Sequence, residues 1–405
     1  MTARVLICDP IAEDGIAVLR QFGAQVDVRT GLPPDELEAT VDSYEALIVR
    51  SETKITRQVI AAAGKLQVVG RAGIGVDNID LEAATERGIV VVNAPTGNII
   101  SAAEHAIALM MALARHIPDA SAPLKSGHWD RKRFMGLEVR GKTLGILGLG
   151  QVGSEVTRRA RGLEMRVIAH DPFVPEERAR ALGIELVPFQ QLLRESDFLT
   201  VHTTLSEKTR SLIGEAELKE MKPTARLINT ARGGIVNEEA LEKALSEGRL
   251  AGAALDVFEK EPLTDHPLFG NEQVIATPHL GASTAEAQER VSQDVAEQII
   301  AVLKGEPAQY AVNAPLISPE SYTYLAPYTP VAFKTGSLAV QLCQGQMEKI
   351  EIDYAGELTQ YDLTPLKAAL VGGLLAPISE EHVNVVNVDV IAARRGMRIS
   401  EKRSP

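Results

Sequence analysis

The chain has 405 residues, 45 % hydrophobic and only 4 % aromatic, with a formal charge of −12. That is room for about two or three domains with cores of Val, Ile, Leu and Ala, and the acidic balance argues against a nucleic-acid partner, which requires a basic surface. Two distant cysteines, Cys8 and Cys343, form neither a disulfide framework nor a metal-ligand pattern, so no metal is expected.

The N-terminus lacks the apolar core and cleavage site of a signal peptide, and no uncharged stretch is long enough to span a bilayer. A cytoplasmic chain with no membrane partner is expected. Strand-like runs at 5–7, 26–28, 46–49, 68–70 and 89–92 are interleaved with helical stretches near 13–22 and 34–41. Such alternation predicts parallel strands joined by crossover helices. Cys8 ends the first run and reads as a small buried hydrophobe. A helix over 100–117 is apolar on all sides, a pattern that favours burial.

A second series follows. A strand at 142–147 leads into Gly148-Leu149-Gly150-Gln151-Val152-Gly153, a helix over 154–163, and a strand at 167–169 that ends near Asp171. Gly148 permits a tight turn, Gly150 lets the backbone approach a pyrophosphate, and Gly153 allows helix and strand to pack closely. The helix N-terminus supplies N–H donors and partial positive charge. The Asp171 carboxylate can accept from ribose hydroxyls and would repel a 2′-phosphate, which favours NAD over NADP. The glycine spacing alone is weak; with strand, helix and acid in register it predicts a dinucleotide site. Strands at 198–202, 226–229, 252–256 and 274–276 and a helix over 284–304 continue the series.

Beyond Gly305 the texture changes. Pro315, Pro319, Pro327 and Pro330 predict a loop-rich connector, followed by a strand at 349–354, a helix over 363–376, a strand at 383–388 and a frayed, charged terminus. The fold class expected is α/β: two doubly wound parallel-sheet domains and a small α+β C-terminal segment.

Three positions at predicted strand ends carry chemistry: Arg232 in Asn229-Thr-Ala-Arg-Gly-Gly234, Glu261, and His279 in Pro278-His-Leu-Gly281. Ligands of open α/β sheets bind beyond such ends. Histidine can take a hydroxyl proton near neutral pH, and a carboxylate on its other nitrogen fixes the tautomer. Arginine can grip a substrate carboxylate bidentately. Separately each has a bland reading: a structural histidine, a solvated loop glutamate, a turn-capping arginine. Their joint placement downstream of a nucleotide turn favours the catalytic one. Arg50 and Arg71, with Gly73 and Gly75 nearby, fit an anion-binding nest and a plain turn with solvated arginines equally. The run Trp129-Asp-Arg-Lys-Arg133 reads as a solvated charged face.

Several longer segments resemble the D-isomer-specific 2-hydroxyacid dehydrogenases, and within them the branch that oxidises 3-phosphoglycerate. They are Val49-Arg-Ser51, Gly70-Arg-Ala-Gly-Ile-Gly-Val-Asp-Asn78, Asn98 with Ser101-Ala-Ala-Glu104, Trp129-Asp-Arg-Lys-Arg-Phe-Met-Gly136, Gly148–Gly153, 229–237, Ala254-Leu-Asp-Val-Phe258 and Pro278-His-Leu-Gly-Ala-Ser-Thr284. The resemblance implies that Arg232 binds substrate and that His279 is the acid/base with Glu261 as its partner. It implies that Gly148, Gly150, Gln151, Val152, Gly153, Asp171, Thr203, Thr230, Ala231, Asp256, Gly281 and Ala282 line NAD. Arg50, Arg71, Gly73 and Asn98 would hold 3-phosphoglycerate, with Arg131 from a second copy in a homodimer or homotetramer. The implied architecture is Rossmann-like: a discontinuous substrate domain (1–97 and 283–307), an NAD domain (98–282) inserted into it, and a cleft between them. Residues 313–405 would belong to an intervening domain within which the sequence stops, which leaves serine feedback through a later module in doubt. The alternatives are a glyoxylate or hydroxypyruvate reductase sharing the same three residues and, in another class, an NADH-sensing corepressor. Formate dehydrogenase chemistry is disfavoured, because glutamine is usual there at the position of Glu261.

Overall fold

The computed structural model describes residues 2–315, 317–343, 347–378 and 383–404. They fall into two compact units, Met1–Gly97 with Gln288–Pro405, and Asn98–Ala287.

In the first unit β1 (Arg4–Ile7), β2 (Gln25–Val28), β3 (Ala46–Val49), β4 (Val68–Arg71) and β5 (Val90–Asn93) form a parallel sheet in the order β2-β1-β3-β4-β5. All four residues of β3 are buried, as a strand covered on both faces requires. Leu6, Leu47, Val69 and Val91 pack with Leu37, Val59 and Ala83 on one face. On the other, Val5, Ile7, Ile48 and Val68 meet Ile16 and Leu19 of the helix Glu13–Phe22 and Val291, Val295 and Ile299 of the helix Ala285–Leu303. The late helix therefore completes a layer begun at the N-terminus. Gly70 permits this, since a Cβ there would meet Val295 Cγ1 at 2.5 Å. Cys8 is fully buried, and burial pushes its thiol up to about 12, in line with a hydrophobic role.

In the second unit β6 (Thr143–Leu147), β7 (Arg166–His170), β8 (Glu185–Leu186), β9 (Phe198–Val201), β10 (Arg226–Asn229), β11 (Gly252–Leu255) and β12 (Val274–Ala276) form a sheet in the order β12-β11-β10-β9-β6-β7-β8. Every pairing is parallel. The winding reverses between β6 and β9, which opens a crevice beyond their carboxyl ends. The apolar helix spans Ile99–Arg115 and buries Ala103, Ala106, Leu109, Met110 and Leu113 against Leu144, Ile146 and Ile228.

The C-terminal segment of the first unit departs from expectation in three places. The proline-rich connector holds the helices Pro319–Leu325 and Thr329–Leu342, and Pro319 and Pro330 stand in their first turns, where the missing N–H costs nothing. Residues 383–388 form no strand. Asn387 Oδ1 accepts from Asn384 N–H and Asn384 Oδ1 from Val386 N–H, and this turn leads into the helix Val388–Arg394. Side-chain bonds to backbone have overridden a β-branched alternation. The charged terminus is β14 (Arg398–Ser404), paired in parallel with β13 (Lys349–Ala355). No described helix is long and apolar enough to cross a membrane.

Candidate active site

The three glycines of the turn after β6 meet three different surroundings. Gly148 has φ 96°, and a Cβ there would meet the His202 carbonyl oxygen at 2.7 Å. A Cβ at Gly153 would lie 2.2 Å from the Gly148 oxygen, so the helix Gln151–Gly162 seats directly on the turn. At Gly150 a Cβ would meet nothing within 4 Å, and no side chain caps the helix. Open space over uncapped N–H donors suits a pyrophosphate. Asp171 braces the turn: Oδ2 accepts from Leu149 N–H at 2.8 Å and Oδ1 from Phe173 N–H at 2.9 Å. Each oxygen keeps a further lone pair for a ribose hydroxyl. Near the ends of β9 and β10, Thr203, Thr230 and Ala231 are half-buried, and the buried Thr230 Oγ1 has no hydrogen-bond partner. Burial drives the His202 imidazole down to about 4, which keeps it neutral here at pH 7. These residues fit a dinucleotide.

The turn after β11 and the loop after β12 meet at Glu261 and His279. His279 Nδ1 lies 2.6 Å from Glu261 Oε2, and Glu261 Oε1 accepts from Phe258 N–H at 2.9 Å. Burial raises the Glu261 carboxyl, but the bonds from His279 and Phe258 outweigh it and hold the group below the usual carboxylate range. An ionised Glu261 fixes His279 as the Nδ1–H tautomer and leaves Nε2 to accept a proton. His279 is left-handed at φ 55°, which costs a non-glycine residue about 1–2 kcal/mol. Surrounding bonds must enforce it.

Asp256 supplies them. Its side chain is fully buried; the backbone carbonyl accepts from His279 N–H, Oδ1 from Leu280 N–H and the Thr277 hydroxyl, and Oδ2 from Gly281 N–H. Asp256 and Gly281 were expected to line NAD. In this structure their bonds shape the His279 loop, and the Asp256 side chain is wholly buried.

Arg232 is half-buried in a turn held by Asn229, whose Oδ1 accepts from Ala231 N–H and whose Nδ2 donates to the Arg232 carbonyl. A Cβ at Gly233 would meet the Phe258 oxygen at 1.9 Å, so the Arg-Gly-Gly turn packs against the segment that holds Glu261. Asn98 precedes the apolar helix, and its buried Oδ1 has no hydrogen-bond partner. Arg131 lies exposed in the same stretch as Trp129 and Met135, which are 83 % and 81 % exposed.

In the first unit Arg50 begins the loop after β3, and that loop is pinned by Asn78 Nδ2 donating to the Arg50 and Thr53 carbonyls. A Cβ at Gly73, whose φ is 151°, would fall 1.4 Å from Arg71 Nη1, so only glycine admits the guanidinium there. A cavity of about 970 Å³ in this unit is lined by Lys65, Arg87, Asn384 and Arg395, and none of the expected site residues borders it.

The sequence reading missed His105, His202, Asn229 and Thr277. An ionisable His105 within an apolar helix was the one visible signal.

Residues 107–281 match the NAD-binding domain of the D-isomer specific 2-hydroxyacid dehydrogenases, and residues 324–405 match the D-3-phosphoglycerate dehydrogenase intervening domain. The D-3-phosphoglycerate dehydrogenase of Archaeoglobus fulgidus is 47 % identical over 401 residues, covering 99 % of this chain and 76 % of that protein. The crystal structure of TT0316 protein from Thermus thermophilus superposes with a TM-score of 0.71 at 36 % identity, over 76 % of this chain and 99 % of that one. A glyoxylate reductase from Paecilomyes thermophila does so with 0.70 at 31 %, over 77 % and 98 %. The chain belongs to the D-3-phosphoglycerate dehydrogenase family, within the NAD-dependent D-isomer-specific 2-hydroxyacid dehydrogenases.

Proposed function

We propose that the chain oxidises the C2 hydroxyl of 3-phospho-D-glycerate to 3-phosphooxypyruvate with NAD, the first step of phosphorylated L-serine synthesis. The observation that carries the chemistry is the 2.6 Å His279–Glu261 pair, built into the same unit as the open glycine turn. Held at that turn, NAD would take the hydride from C2. Arg232 grips the substrate carboxylate and orients C2. His279 takes the hydroxyl proton on Nε2, and Glu261 stabilises the imidazolium that forms. Gly148, Gly150, Gln151, Val152, Gly153, Asp171, Thr203, Thr230, Ala231, Asp256, Gly281 and Ala282 are assigned to NAD. Arg50, Arg71, Gly73 and Asn98 are assigned to the phosphorylated end of the substrate.

The exposed Trp129 and Met135 support self-association as a homodimer or homotetramer, with Arg131 reaching a neighbouring copy. Two free thiols support a reducing, cytoplasmic setting. The test is NADH formation with 3-phosphoglycerate beside glycerate, lactate and 2-hydroxyglutarate, and NADH consumption with glyoxylate and hydroxypyruvate. Preference for 3-phosphoglycerate supports the reading. Equal rates with glycerate remove the phosphate assignment, and preference for glyoxylate moves the chain to the reductases.

A further inference from the structure

His279 is held on one side by Glu261; its loop is held on the other by a second carboxylate–histidine pair. His105 rises from the middle of the helix Ile99–Arg115, its side chain 19 % exposed. Its Nε2 lies 3.1 Å from Asp256 Oδ1 and 3.2 Å from Thr277 Oγ1. The Thr277 hydroxyl proton is committed to Asp256 at 2.6 Å, and an ionised carboxylate can only accept. Nε2 of His105 must therefore carry a hydrogen and donate it. The same Asp256 receives the N–H groups of Leu280 and Gly281, and its backbone carbonyl receives that of His279.

We propose that His105 is a positioning residue for the proposed reaction: by donating to Asp256 and Thr277 it fixes the loop that carries His279 in its left-handed conformation. The proposal rests on the reading of His279 as the acid/base. Three features favour this role over plain core filling. His105 is a polar group in a helix whose buried residues are, Ser101 apart, Ala, Leu and Met, so it stands there at the expense of apolar packing. Its contacts converge on the two residues, Asp256 and Thr277, that bracket His279 through backbone and side-chain bonds. Burial alone would raise the Asp256 carboxyl, yet donation from His105 and Thr277 holds it low, so the anchor stays charged. Without His105 the anchor keeps its backbone donors but loses its hydrogen bond from the helix Ile99–Arg115. The loop can then shift relative to the C2–nicotinamide axis while the cofactor still binds, and displacements of about 1 Å at a reacting group already slow chemistry markedly.

The experiment compares wild type, His105→Leu, His105→Gln and His279→Ala in the full chain. It measures NADH dissociation constants by fluorescence titration, kcat and KM with 3-phosphoglycerate, and thermal midpoints. Glutamine keeps an N–H donor at similar reach, and leucine does not. His105→Leu is expected to lower kcat at least tenfold with NADH affinity within threefold of wild type, and His105→Gln to recover most of the loss. Wild-type kcat in His105→Leu overturns the proposal, as does a loss that appears in NADH affinity alone. Should His105→Leu fail to fold, His105→Gln decides: near-wild-type kcat supports the donor role, and loss equal to that of His279→Ala contradicts it. Full activity in His279→Ala overturns the acid/base reading and this proposal with it. An inactive His279→Ala beside a fully active His105→Leu sinks the positioning role alone.

Discussion

In each parallel sheet the earliest strand in the chain, β1 or β6, runs through a turn into a helix, yet the two turns are used in opposite ways. After β6 the turn is glycine-rich, uncapped and open at Gly150. After β1 it is Cys8-Asp9-Pro10, and the chain fills its own crevice. The buried Asp9 carboxylate accepts from Arg50 N–H at 2.5 Å, Thr53 N–H at 3.2 Å and the Thr53 hydroxyl at 2.5 Å. Ser292 Oγ, from the last helix of the sheet, accepts from Ala12 N–H just ahead of the helix Glu13–Phe22. Topology places a crevice at both sheets. Whether it takes a ligand depends on whether the turn leaves its donors unmet. The first unit spends its carboxylate on bracing the loop of Arg50, and the second leaves its donors for a phosphate.

The largest expected effect breaks the chemistry and leaves both turns intact. His279→Ala should lower kcat by about 10²–10⁴-fold in stopped-flow turnover; an unchanged chemical step removes it as the base. Next come two substitutions that test the contrast directly. Asp9→Ala orphans two partly buried N–H groups and should cost about 1 kcal/mol per group in urea unfolding, with NADH affinity unchanged. Gly150→Val should do the reverse, weakening NADH binding tenfold or more with little change in the melting midpoint, because only empty space surrounds it. Equal effects of both substitutions on NADH affinity would erase the distinction between the turns. Replacing Arg50 or Arg71 by alanine should raise KM for 3-phosphoglycerate by roughly 10- to 100-fold, or about 1.5–3 kcal/mol, and leave that for glycerate unmoved.

The smallest effect concerns pH. His202 stays neutral in the fold down to about 4, whereas the unfolded chain takes up its proton near 6.5. Its contribution is complete above 6.5 and is lost as pH falls toward 4, because the unfolded state then binds the extra proton. The loss should amount to about 1–3 kcal/mol. A His202→Asn variant should show a flatter stability profile across that window, and an identical slope in both proteins argues against the shift.

Central strands such as β3, β6 and β9 were legible because they are short apolar runs buried on both faces, whereas the two-residue, largely exposed edge strand β8 carries no such mark. The glycine turn was legible because each glycine answers a local backbone need. Arg232, Glu261 and His279 could be expected from their places at strand ends. His105 and Thr277 could not, since their meaning lies in Asp256, which is distant in sequence and adjacent only after folding. The C-terminal segment was misread because Pro319 and Pro330 are helix starters here, and because Asn384 and Asn387 close a turn within an apparent strand. In both cases the residue type was seen and its partner was not.

The most direct test follows the hydride. With 3-phosphoglycerate deuterated at C2 and unlabelled NAD, mass spectrometry should find the deuterium in the reduced nicotinamide, with formation of that product abolished or greatly slowed in His279→Ala. Deuterium released to water, or no reduced cofactor from the wild-type chain, would contradict the account.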